Sequence, residues 1–244
     1  MQRKMDDFYK KHKDTEVYFP TLPSNIDAAN GFHVAKWFLD EMITKNIGWL
    51  NLSLRSVNTA DFVPLGQDYR GRIELEKVER KFPDKKELFL STNGQYRPAI
   101  AFDVPYTRHY WETRFPAEKY AWIKYEYIDP ETSLGPRQDK EYNIETAFDF
   151  LDDMMPIVSG IRVPGRDCKL VVENCGELSL IEGGTYLINP KHKYQIINTS
   201  KIQTVGIISA TARLGMQFQR FCDMIARSYF VQVNSNKMLA ERKV

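Results

Sequence analysis

The stretch that decides the fold runs from Cys168 to Ala210, "CKLVVENCGELSLIEGGTYLINPKHKYQIINTSKIQTVGIISA". It holds five short apolar runs: Leu170 to Val172, Leu178 to Ile181, Tyr186 to Ile188, Tyr194 to Ile197 and Val205 to Ile208. Turn formers separate them, namely Asn174-Cys175-Gly176, Gly183-Gly184, Asn189-Pro190 and Asn198-Thr199-Ser200. Short runs rich in β-branched and aromatic residues, bounded by Gly, Asn and Pro, build compact antiparallel sandwiches and barrels.

Working outward, Ile123, Tyr125 and Tyr127 alternate with Lys124 and Glu126, the period-two pattern of a half-buried strand. Leu50, Leu52 and Leu54 alternate in the same way with Asn51, Ser53 and Arg55. Asn93-Gly94 supplies the positive φ angles of a two-residue hairpin turn. Pro98 has no N–H to give, which puts the return strand at an edge or a bulge. Helical spacing places Ala28, Phe32, Ala35, Leu39 and Met42 on one buried face, in a helix that starts at Ser24 or Asn25 and ends near residue 44. Three more helices are predicted. One turns Ile73, Val78 and Phe82 inward; one covers 143–155 with Ile144, Ala147, Phe148, Leu151 and Met155 on one face, stopped by Pro156. The last spans 213–229 with Leu214, Phe218, Phe221, Ile225 and Tyr229 in a stripe. Residues 129–143 read as a loop, 1–20 as a polar arm and 234–244 as a charged tail. With no repeat or low-complexity linker, one α+β domain over 1–244 is expected, its β core within 157–210.

Composition narrows the classes of function. Hydrophobic residues at 43% and charged residues at 27% are ordinary globular usage. A net charge of +2 gives no field to recruit nucleic acid or an acidic membrane. The start, "MQRKMDDFYKKHKDTE", has no apolar core of a signal peptide, and no run of about 18 apolar residues suggests a membrane span. Three cysteines without a CxxC pair fit a reducing compartment, so a cytoplasmic location is expected.

Gly184-Thr185-Tyr186-Leu187-Ile188-Asn189, then a short turn, then Tyr194-Gln195-Ile196-Ile197-Asn198, resembles the double-stranded β-helix of iron- and 2-oxoglutarate-dependent oxygenases. The likeness is to the aspartyl/asparaginyl hydroxylase-like group and covers about residues 157–210. It implies an antiparallel double-stranded β-helix, of jelly-roll or cupin type, flanked by helices. It also implies Fe(II) and 2-oxoglutarate as cofactors wherever the metal site is intact. The metal motif departs from that pattern. Tyr194 stands where the distal histidine is expected, and Arg137-Gln138-Asp139 where the first motif would be sought. The literal His-x-Asp, His12-Lys13-Asp14, sits in the polar arm and reads as solvated charge. The remaining metal candidates are His109 and Glu112, three residues apart in "RHYWETRF", and His192, two residues before Tyr194. An oxygenase would use Tyr194 and Arg213 on the cofactor side, since Lys201 to Val205 holds no arginine.

Other chemistries find little material. Cys168, Cys175 and His192 have no zinc-ligand spacing, and no cysteine has a local base. No serine elbow, phosphate loop or dinucleotide fingerprint occurs. The aromatic group Tyr106, His109, Tyr110, Trp111, Phe115, Tyr120 and Trp122 reads first as a buried belt, with base or sugar stacking as the alternative. Two functions from different classes follow. One is a catalytically silent barrel used as a binding or assembly module in a larger particle; the other is an oxygenase hydroxylating a protein or small-molecule side chain. The C-terminal helix bears on the first. Phe218, Met224, Phe230, Val231 and Val233 spread apolar surface around more than one face, and such a helix must be covered on more than one face. Residues 214–233 are therefore expected to take part in self-association or to dock on a protein partner, unless the helix is sunk within its own domain.

Overall fold

The computed structural model describes residues 20–52, 69–113, 115–137, 154–163, 167–189 and 191–241. The described residues form helices α1 (Gly31–Thr44), α2 (Tyr69–Lys81), α3 (Pro98–Ala101), α4 (Pro105–Thr113) and α5 (Phe218–Glu241) and eleven strands. These are β1 (Trp49–Asn51), β2 (Glu87–Thr92), β3 (Gln95–Tyr96), β4 (Lys119–Ile128), β5 (Ser133–Arg137), β6 (Met154–Arg162), β7 (Cys168–Val172), β8 (Gly176–Ser179), β9 (Thr185–Ile188), β10 (Tyr194–Asn198) and β11 (Val205–Arg213). One sheet has the order β1-β9-β6-β11-β4-β2-β3, the other β5-β10-β7-β8, and neighbouring strands run antiparallel. From β4 onward the chain passes back and forth between the sheets, so that β9-β6-β11-β4 faces β8-β7-β10-β5. That winding is a double-stranded β-helix, and with its flanking helices the protein is α+β.

Strand parity divides the apolar side chains between two cores. Val205 and Ile207 of β11 join Val158, Leu170, Val172, Tyr186 and Ile196 between the sheets. Ile208, Ala210 and Ala212 point the other way and join Ile123, Tyr125 and the helices. Both faces of β11 are covered, and β6 and β4 pair with its two edges. The outer core takes Phe38, Leu39 and Met42 from α1, Trp111 from α4 and Phe221, Ile225 and Tyr229 from α5.

Several sequence expectations change. Helix α1 begins at Gly31, not near Ser24, because Asn30 caps it by accepting hydrogen bonds from the Phe32 and His33 N–H groups. Ile73 is 45% exposed, whereas Leu75 and Val78 carry the buried face of α2. Most of the helix expected over 143–155 lies outside the described residues, but its end does not form. Met155 and Pro156 belong to β6, where Pro156 sits opposite Thr211 in a strand paired on both edges. The loop expected over 129–143 contains β5, an edge strand with a register shift and a cis Gly135–Pro136 bond. Helix α5 runs on to Glu241, through most of what reads as a charged tail. The edge expected near Pro98 does form. β3 is the outermost strand of its sheet, and Pro98 opens α3, where a missing N–H costs nothing. Leu54, the polar arm and His12 to Asp14 lie outside the described residues.

The cysteines are free thiols. Burial pushes Cys168 and Cys222 up to about 12 and the half-buried Cys175 to about 11. A thiol reagent at neutral pH is expected to modify Cys175 first and slowly, and Cys168 and Cys222 only on unfolding. Fast labelling of all three under native conditions, followed by peptide mapping, would contradict this packing.

Candidate functional site in the barrel interior

Strand alternation carries polar groups into the space between the sheets. Tyr125 and Tyr127 of β4 face the helices, so Lys124 and Glu126 face inward. Ser209 lies on the inward face of β11, in step with Ile207. From the smaller sheet come Arg137, the last residue of β5, and Tyr194, the first of β10, which are direct cross-strand partners.

These side chains form one network. Arg137 Nη1 and Nη2 donate to the two carboxylate oxygens of Glu126 at 2.7 and 3.0 Å. Nη2 also donates to Ser209 Oγ at 2.8 Å, and Nε to the Tyr194 hydroxyl at 2.8 Å. Ser209 Oγ donates in turn to Glu126. Lys124 Nζ lies 3.0 Å from Glu126 and 2.7 Å from Glu87, with the Trp122 ring centroid 4.9 Å away. Glu126 is 1% exposed, and its partners decide whether its charge survives there. Burial pushes its carboxyl up. The Arg137 charge and hydrogen bonds, then Lys124 and Ser209, outweigh that and hold it below the ordinary carboxylate value. For Arg137, burial works against the charge, while Tyr194 and Glu126 more than restore it.

The residues proposed from sequence as metal ligands do not meet. His109 and Glu112 are exposed on α4, and Glu112 accepts a hydrogen bond from Arg108 at 2.8 Å. The buried Tyr110 and Trp111 of that helix belong to the outer core, so α4 lies on the far face of the larger sheet from the network. His192 sits in the turn before β10 rather than on the strand, and its buried Nε2 has no partner among the described residues. Burial and Lys191 lower its pKa, against a smaller opposing effect of Glu173. Among the described residues no group of three or more His, Cys, Asp or Glu side chains could hold a metal. Arg213 ends β11, half-buried, with its carbonyl accepting from the Glu118 N–H. Of the proposed set, only Tyr194 enters the network. Arg137, Glu126, Lys124 and Ser209 were missed as functional candidates, and a charged pair at strand-facing positions was the available signal.

An Fe(II) ion does not fit this interior. Two protein imidazoles and a carboxylate are the usual donors of such a site. Here the smaller sheet turns a guanidinium and a phenol into the interior, 2.8 Å apart. Both oxygens of the one carboxylate are already taken by cations. A metal needs deprotonated donors with charge to spare, and none is left among the described residues.

The two asparagines that carry the family likeness are structural. Asn189 and Asn198 are fully buried. Asn189 Nδ2 donates to the Met42 and Ile47 carbonyls, both at 3.0 Å, and ties the end of α1 to β9. Asn198 Nδ2 donates to Ile128, Asp129 and Gln203 carbonyls, and its Oδ1 accepts from Ser200 N–H. The aromatic group is largely the expected belt: Tyr110, Trp111, Phe115 and Tyr120 are buried, with Trp111 and Tyr120 edge to face at 5.7 Å. In α5, Met224 is buried in the chain's own core, Val231 is buried as well, and Phe218, Phe230 and Val233 pack partly against that core.

No family model matches the sequence, and no curated protein matches it. Solved structures resemble it in fold. A 2OG-Fe(II) oxygenase family oxidoreductase from Burkholderia pseudomallei aligns at 10% identity over 80% of this chain and 94% of its own, with a TM-score of 0.42. A prolyl-4-hydroxylase from Pseudomonas putida aligns at 10% identity over 73% and 98%, with a TM-score of 0.39. A cupin 2 domain-containing protein from Halorhodospira halophila aligns at 13% identity over 73% and 94%, with a TM-score of 0.35. The chain's own strand order is that of a double-stranded β-helix. Likeness at these scores says nothing of activity, and the architecture stands on the strand order itself. No helix among the described residues is long and apolar enough to cross a membrane.

Proposed function

We propose that this protein is a catalytically silent double-stranded β-helix that serves as a binding or assembly module, acting through its surface on a protein partner or on further copies of itself. One observation carries the silent half of this reading: the Arg137 guanidinium, fixed by Glu126, Ser209 and Tyr194, lies in the interior where an oxygenase would keep its metal. A barrel whose interior cation is a covalent part of the chain has no open coordination position for oxygen or 2-oxoglutarate. Its remaining use is as a scaffold, for which a sandwich covered by helices is well suited.

Anaerobic titration of the whole chain with Fe(II) and 2-oxoglutarate tests the first half. No metal-to-ligand absorption band and no bound iron after gel filtration are expected. A visible band, abolished by His192→Ala, would instead restore the oxygenase. Sedimentation velocity tests the second half, with Phe230→Asp plus Val233→Asp as the variant and circular dichroism on the same samples. Wild-type assembly that the variant loses while staying folded supports residues 214–233 as the contact. A wild type that stays monomeric at high concentration, with no partner recovered, removes the assembly role.

A further inference from the structure

A cleft of about 530 Å3 lies between α2, which gives Arg72, Glu76 and Glu79, the β8–β9 turn, which gives Glu182, and the turn before β11, which gives Gln203. It is at the other end of the barrel from the Arg137 network. Tyr194, the first residue of β10, meets Arg137, whereas Asn198, the last, donates to the Gln203 carbonyl at 2.8 Å. The walls of the cleft are tied in place. Arg72 Nε donates to Glu76 at 3.0 Å and Nη1 to Glu182 at 3.2 Å, which fastens α2 to the β8–β9 turn. Ser200 Oγ accepts from the Gln203 N–H at 3.1 Å and holds the opposite wall. Three carboxylates against one guanidinium leave the cleft negative. Ile202, next to Gln203, is 84% exposed and gives it an aliphatic lip. A preformed hollow that is negative inside and apolar at its edge selects a cationic segment that also carries apolar side chains.

We propose that this cleft holds the chain's own N-terminal arm, through the run Phe8-Tyr9-Lys10-Lys11-His12-Lys13. Three lysines and no acidic residue in six positions complement the carboxylates, and the two aromatic residues beside them suit the Ile202 lip. The arm leaves from a fixed point, because the Tyr229 hydroxyl donates to the Pro20 carbonyl at 2.8 Å. From Pro20 back to Lys10 an extended chain spans up to about 35 Å. A domain of this length has a radius of gyration of about 18 Å, so the lysines reach well across its surface. The tether also gives the arm a high effective concentration at the cleft, which favours it over the arm of a second copy. The arm is thus a built-in ligand, and a basic segment of another protein must displace it to use the cleft. This surface is separate from residues 214–233, and the inference stands apart from the assembly role.

Zero-length carbodiimide coupling of the full chain, read by peptide mass spectrometry, tests it. Lys10, Lys11 or Lys13 is expected to join Glu76, Glu79 or Glu182. In an equal mixture of unlabelled and heavy-isotope-labelled chain, each such pair should lie within one chain. The yield should fall at least fivefold in about 0.5 M salt, where exposed charges are screened. Lys10→Glu with Lys11→Glu should cut the coupling of Lys13 to the cleft at least fivefold. Reversing the cleft as well, with Glu76→Lys and Glu182→Lys, should restore coupling between positions 10 or 11 and 76 or 182. Circular dichroism checks the fold of each variant, and if the cleft variant does not fold the arm variant decides, since it alters no described residue. Absence of coupling to the cleft overturns the inference. So does equal coupling to exposed carboxylates elsewhere, such as Glu131 and Glu177. Mixed-label pairs overturn it too, by placing the arm on a second copy. None of these results alters the silent-barrel reading, which the iron titration decides.

Discussion

Replacing Arg137 with methionine is expected to cost about 3–5 kcal/mol of folding free energy at neutral pH, because it strands a buried carboxylate. Glu126 would keep Lys124 and Ser209 but lose both guanidinium hydrogen bonds and the nearest charge. The pH dependence gives a second signature. In the wild type the folded Glu126 carboxyl titrates below its ordinary value of 4.5. Its stabilising contribution is therefore complete above that value and is lost as pH falls through the lower folded one. Without Arg137, burial dominates and moves the carboxyl upward. The variant's deficit against wild type should then shrink on mild acidification, as protonation removes the stranded charge. Urea unfolding at neutral and mildly acidic pH measures both effects. Arg137→Met combined with Glu126→Leu should recover most of the loss, since replacing a whole buried pair by apolar groups is often neutral or better. A loss under about 1 kcal/mol in the single variant, well below what breaking a buried pair costs, would mean the network is not a structural tie.

The second large effect is expected at Asn198. Its amide reaches the carbonyls of Ile128 at 2.9 Å, Asp129 at 3.0 Å and Gln203 at 2.8 Å, and so fastens the end of β10 to the end of β4 and to the turn before β11. Asn198→Ala orphans those acceptors and the Ser200 N–H, at about 1–3 kcal/mol for each group that water does not reach. Asn198→Asp should be worse despite its shape, because a carboxylate has nothing to donate and sets a negative charge against three carbonyl oxygens. Thermal melting of the two variants ranks them. An aspartate variant as stable as the alanine variant would show that water has already relieved those carbonyls.

The sheet core was legible from the sequence because its signals are local. Strand runs between Gly and Asn turns announce themselves at Leu170 to Val172, Tyr194 to Ile197 and Val205 to Ile208, and all three are strands. Ile123, Tyr125 and Tyr127 likewise marked one buried face of β4, which in the structure packs in the helix-lined core. What depended on partners far along the chain was not legible. Met155 keeps helical spacing with Leu151, yet it lies in a strand because β11 and β9 offer backbone partners on both sides of β6. Ser133 to Arg137 carries a Gly-Pro pair that reads as a breaker, and only an edge position with an irregular register tolerates it as β5. That misreading hid the site. Arg137 looked like loop charge and Glu126 like the solvated side of a strand, eleven positions apart and with no spacing rule to join them. Only the closing of β5 over β4 puts the pair between the sheets. There water no longer screens it, and the guanidinium holds the carboxylate together with Lys124.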